Sequence, residues 1–144
     1  MNIASLLASK GAKVITIQST ETVRYAIELL ADHNIGALVV VDGAATPVGI
    51  VSERDIVRAA ARSEEIFSIT IASIMTREVV IGVPHDDLVS VGHTMTERRI
   101  RHLPVMERGQ LIGIVSIGDI VKAQRDQYEG EVETLQSQLL ADQR

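Results

Sequence analysis

A chain of 144 residues with 46% hydrophobic side chains can bury the core of one compact domain, or of two small lobes that share it. A net charge of −5 provides no broad basic face for duplex nucleic acid, and 2% aromatic residues provide no stacking platform for single strands. The absence of cysteine excludes disulfides, thiolate metal sites and a cysteine nucleophile, and no apolar run approaches the ~20 residues of a membrane span.

In chain order, Ile3 to Leu7 reads as a short helical lead-in. With Met1 and Asn2 it is too short and uncharged for a secretory signal, so a soluble cytoplasmic protein is expected. Val14 to Ile17 reads as a strand, and Ser19 and Thr20 as helix-start residues. Val23, Ala26, Ile27, Leu30 and Ala31 then recur at the spacing of a buried helical stripe. Ala37 to Val41 and Val48 to Val51 read as strands of a hairpin whose long turn runs from Asp42-Gly43 to Pro47. A helix from Glu53 to Ala61 closes the unit.

The same order returns about 65 residues later. Ile71-Ala72-Ser73-Ile74-Met75 repeats Ile3-Ala4-Ser5-Leu6-Leu7, and a strand is expected at Val79 to Ile81. His85-Asp86-Asp87 after Pro84 reads as a helix start with acids at the positive end of the helix, and the helix reaches Arg98. Strands at Leu103 to Met106 and Leu111 to Val115 precede a helix from near Ile117. The expected fold is mixed α/β (α+β), with two β-α-β-β-α repeats packed about a pseudo-two-fold axis and a C-terminal helix. The divisions are 1–66, 67–123 and a tail at 124–144. In the tail, Val121, Arg125, Tyr128, Val132, Leu135 and Leu139 alternate by four and three. This pattern suits a partner-binding seam as well as a solvated helix.

The two copies match best at Gly49-Ile50-Val51-Ser52-Glu53-Arg54-Asp55 and Gly113-Ile114-Val115-Ser116-Ile117-Gly118-Asp119. Each is a buried strand handing over to a helix. A serine there caps the helix, and exposed amides at a helix start suit an anion. The carboxylate one turn in can accept two hydroxyls at once. Both residues recur at fixed spacing, whereas a simple serine cap needs only the first, so a ligand role is expected for Ser52, Asp55, Ser116 and Asp119. Arg54 reads first as a solvated helix charge. Arg98-Arg99-Ile100-Arg101-His102 reads equally as an anion site or a solvated face. The four histidines lack metal-ligand spacing, and no phosphate-binding loop, dinucleotide fingerprint or nucleophile elbow occurs.

These residues, with Ile35 to Val41 and Ile100 to Val105, resemble the cystathionine-β-synthase (CBS) domain family in its tandem form, over about residues 1 to 123. The resemblance implies a disc-like pair that often dimerises, with clefts between the repeats that bind adenine nucleotides or adenosyl compounds. By position it implies ribose and phosphate contacts from Ser52 with Asp55 and from Ser116 with Asp119, with Ile50 and Ile114 along the base or sugar. It places Thr20 and its counterpart His85 at the cleft lining. It places Arg101 and His102 at a phosphate position that repeat one leaves to Gly36 and Ala37. Arg54 is then expected to arm the first cleft, and Arg101 with His102 the second.

The expected function is a non-catalytic regulatory module sensing AMP, ADP or ATP, with NAD and S-adenosylmethionine as further candidates. It requires no cofactor and no metal, and it touches neither nucleic acid nor membrane. A homodimer is expected, read by a separate effector protein. The alternative is a ligand-independent dimerisation scaffold or protein-interaction module.

Overall fold

The structure is a computed structural model describing residues 1–43 and 46–142. Its elements run α1 (Ile3–Lys10), β1 (Thr16–Gln18), α2 (Val23–His33), β2 (Ala37–Asp42), β3 (Thr46–Ser52), α3 (Glu53–Ala60), α4 (Leu88–Arg98), β4 (His102–Glu107), β5 (Gln110–Ser116) and α5 (Ile117–Asp142). Two 3-10 turns, Ile66–Ser68 and Ile71–Ser73, lie between α3 and α4. The expected mixed α/β architecture with a C-terminal helix is the one observed.

The valine-rich β2 is buried at five successive positions, because β1 pairs with it in parallel, β3 pairs antiparallel, and helices cover it. In the second half, β4 and β5 form the matching hairpin. Both hairpins carry an irregularity at the same place, between Val40 and Val41 and between Val105 and Met106. Part of the long turn expected in the first hairpin, 44–45, lies outside the described residues.

Two local expectations are corrected. The strand at Val79 to Ile81 does not form. The segment instead touches β4 through one parallel bridge, Gly82 to Val105, with Gly82 N donating to Pro104 O (2.8 Å) and Gly82 O accepting from Met106 N (2.9 Å). A ladder cannot continue, since Val83 N donates to Asp86 Oδ2 and Pro84 carries no N–H. Nor do Ser19 and Thr20 start α2. Thr22 caps it, accepting from Tyr25 N at 3.2 Å, while the buried Ser19 hydroxyl donates to Asp42.

The halves exchange their lead-ins. Ile3, Leu6 and Leu7, assigned by sequence to the first repeat, are buried with Leu88, Val91, Met95, Leu103, Val105 and Val115. Ile66, Ile71 and Met75 are buried with Ile17, Val23, Leu38, Val40 and Val51. Backbone bonds pin each exchange in the same way. Ile3 N donates to Asp86 O and Leu88 N to Met1 O, as Ile71 N donates to Glu21 O and Val23 N to Ile69 O. Glycines make room for the visitors. A Cβ on Gly113 would lie 2.8 Å from Leu7 Cδ2, and one on Gly49 2.8 Å from Met75 Sδ. Neither half holds a complete core from its own stretch of sequence.

Helix α5 docks only by its first turns, where Ile120 and Ala123 are buried. At 1.5 Å per residue its 26 residues span about 39 Å. Val121, Tyr128, Leu135 and Leu139 are exposed along it. Among the described residues no helix is long and apolar enough to cross a membrane.

Candidate functional site

Strand β3 delivers Ser52 in extended conformation to the start of α3. Asp55 N donates to Ser52 Oγ (3.3 Å), and Ser52 N and Oγ donate to Asp55 Oδ2 (2.9 and 3.1 Å). This is a reciprocal capping box, with aspartate at the position usually held by Glu or Gln. The second copy is built alike, Asp119 N donating to Ser116 Oγ (3.0 Å) and Ser116 N to Asp119 Oδ2 (2.9 Å). The inference that capping needs only the serine is therefore corrected: this cap uses both residues, and the recurring spacing has a structural cause. The remaining acceptor capacity of each carboxylate is what a ligand could use.

Around the first junction lies a cavity of about 710 Å³. Repeat one lines it with Gly36, Ile50, Ser52, Arg54 and Asp55, and repeat two faces them with Arg101 and His102. Arg101 and His102, expected to arm the second cleft, thus also face the first. They stand across from Ser52 and Asp55, in the cavity that Arg54 also lines. His102 opens β4 opposite Ser116, as Ala37 opens β2 opposite Ser52, so it borders the second junction as well as this cavity. Gly36 lies beside the imidazole: a Cβ there would lie 3.4 Å from His102 Nε2, at van der Waals contact.

Five arginines, Arg54, Arg58, Arg98, Arg99 and Arg101, share this lining with Glu53, Asp55 and Glu78. Five of the chain's 14 lysines and arginines thus line one concavity. Arg99 ends α4 in the left-handed conformation (φ 55°), which turns the chain back along the cavity wall. Burial lowers the His102 pKa; nearby Asp119 and Glu53 oppose the shift, and Lys10 and Arg101 reinforce it. Burial thus favours the neutral imidazole, which has one donor and one acceptor nitrogen to offer.

Ile114, Ser116 and Asp119 do not line this cavity, and neither do Thr20 and His85. Thr20 and His85 are equivalent, as expected, but both are exposed in turns ahead of α2 and α4. Two polar residues escaped sequence reasoning. Thr76 pairs with Ile50 by exchanging both backbone bonds (2.9 and 2.8 Å), and its hydroxyl donates to Asp55 Oδ1 at 3.2 Å. Its position directly after the repeated Ile71–Met75 segment was the available signal. Lys10 Nζ lies 2.6 Å from Asp119 Oδ2 and 2.8 Å from Ile114 O. Burial works against the charged Asp119 carboxylate, but the Lys10 hydrogen bond, the Ser116 amide and the lysine charge outweigh it and hold its pKa below the ordinary value. Among the described residues, no group of three His, Asp or Glu is placed to hold a metal ion.

The CBS domain family matches this sequence twice, over residues 7–62 and again over 71–126. The chain belongs to the CBS domain family. The tandem CBS pair is 41% identical over 105 residues to an uncharacterised 33.4 kDa protein of Thermofilum pendens, and spans 73% of this chain but only 34% of that one. The crystal structure of a CBS-domain protein from Agrobacterium tumefaciens superposes with a TM-score of 0.83 at 37% identity, covering 85% of this chain and 92% of the other. The CBS pair of protein MJ0100, solved in complex with 5′-methylthioadenosine and S-adenosyl-L-methionine, superposes with a TM-score of 0.79 at 28% identity, covering 88% and 98%.

Proposed function

We propose that this CBS pair is a non-catalytic regulatory module that binds an adenosine-containing ligand (AMP, ADP, ATP, NAD or S-adenosylmethionine) in the cavity between its repeats. One observation carries the reading: Ser52 and Asp55 of one repeat and Arg101 and His102 of the other converge on the same cavity, with Arg54 beside them. Asp55 Oδ1, which among the described residues accepts only from the Thr76 hydroxyl, keeps capacity for a ribose hydroxyl. Arg54 and Arg101 neutralise phosphate, and Ile50 offers an apolar edge to the base. The MJ0100 complexes with two adenosyl compounds favour the same ligand class. A ligand gripped by both repeats changes their relative placement, and a separate effector reads the change, with the chain acting as a homodimer.

Calorimetry with the five compounds tests this. A hydrogen bond to a charged acceptor contributes about 1.5–3 kcal/mol, so Asp55→Ala should weaken binding roughly 10- to 150-fold. A panel with no binding below ~1 mM, or binding indifferent to both Asp55→Ala and Arg101→Ala, sinks the assignment. Nucleotide should be recovered chemically intact after incubation. The exposed apolar seam of α5 favours a second reading, a dimerising scaffold. Truncation after Ala123 that converts a dimer to monomers would support it, and an unchanged mass in solution would remove it.

A further inference from the structure

The two junctions are built alike but are not equally open. In the first, Thr76 meets Ile50 O with its backbone N–H (2.8 Å) and Asp55 with its hydroxyl (3.2 Å). In the second, one side chain takes the carbonyl position and the other carboxylate oxygen, Lys10 Nζ bonding Ile114 O (2.8 Å) and the capping oxygen Asp119 Oδ2 (2.6 Å). A hydroxyl can turn and accept from an incoming group, whereas an ammonium donates only and carries a full charge.

The lysine is placed there by packing. Ile3, Leu7 and Lys10 fall on one face of α1, and Ile3 and Leu7 are buried in the second core. Leu7 lies on Gly113, so Lys10 one turn later reaches the neighbouring Ile114 carbonyl. Gly11, at φ +95°, ends the helix immediately afterwards. Both Lys10 and Asp119 keep less than a third of their side-chain surface exposed.

We propose that Lys10 is a built-in plug of the second junction: its ammonium stands between Ile114 O and the Asp119 carboxylate and neutralises that carboxylate, leaving each chain one open nucleotide site, at Ser52 and Asp55. The inference rests on the adenosine-binding reading and assigns it a stoichiometry and the residue that sets it.

Equilibrium dialysis with radiolabelled AMP, at saturating concentration, tests the plug. Wild type should hold one equivalent per chain, lost in Asp55→Ala. Lys10→Met should hold two, Lys10→Arg one, and Lys10→Met with Asp119→Ala one. Two equivalents in wild type, or one in Lys10→Met, overturns the plug and leaves the binding reading intact. If no form binds AMP, AMP is removed as the ligand, and carboxyl-carbon NMR of the ligand-free protein judges the plug. Asp119 should then titrate below ordinary aspartate in wild type and move up in Lys10→Met. An ordinary titration in wild type overturns it.

Discussion

Replacing Leu7 with alanine should loosen the half of the molecule farthest from it in sequence. Leu7 keeps 8% of its surface exposed and lies against Gly113 in the second core. Buried leucine-to-alanine changes cost about 2–5 kcal/mol, and a site at the rim of a core, where neighbours can relax, belongs at the lower end, about 2–3 kcal/mol. For a chain of this size that lowers Tm by roughly 5–10 °C. Native-state hydrogen exchange locates the damage. Amides of α4, β4 and β5 should lose protection first, while β2 and β3, whose core draws on Ile71 and Met75, keep theirs. Lost protection in β1 to β3 with β4 and β5 intact would refute the exchanged lead-ins.

Two further outcomes follow from the same geometry. Gly49→Ala should destabilise more than Gly113→Ala in urea unfolding, because the new methyl meets the Thr76 backbone oxygen at 2.8 Å in the first case but only the Leu7 side chain in the second. Overpacking of this kind costs about 1–3 kcal/mol, and equal effects would contradict the asymmetry. His102 binds a proton less readily folded than unfolded, so stability should fall as pH drops from 6.5 through its depressed folded value. Asp119, also depressed, contributes stability that is present above about pH 4 and lost as pH falls through its folded value. Thermal melts from pH 8 to 3 should show the first loss vanish in His102→Gln and the second shrink in Lys10→Met.

Much of this architecture was legible because it is locally encoded. β-branched runs such as Val39 to Val41 favour strands, and the stripe Val23, Ala26, Leu30 names its own buried face. Duplication then gave the order of elements twice. What local pattern cannot say is which core an apolar segment enters. Ile3-Ala4-Ser5-Leu6-Leu7 would suit either half, and only the backbone bonds near Pro84 and Asp86 commit it to the second. The same blindness assigned Arg101 and His102 to the second cleft alone, because the sequence placed them in a repeat while the fold also turns them toward Ser52 and Asp55. The expected strand at Val79 to Ile81 had the composition of a strand, but the segment pairs with β4 through the single bridge at Gly82. Lys10 stayed unseen because a lysine ending a helix is ordinarily a solvated charge.

The exchange also sets an order of assembly. The first core has all its parts once Met75 has been made. The second cannot close until β5 and the start of α5 exist, although α1, one of its walls, was synthesised long before. Ile3, Leu6 and Leu7 must therefore wait, exposed or loosely held, for about 100 residues of synthesis, and a loop of that length is slow to close and prone to stray contacts. A break at residue 66 would not free two autonomous CBS domains. It would leave each fragment holding the piece its partner lacks, able to recover only by meeting again.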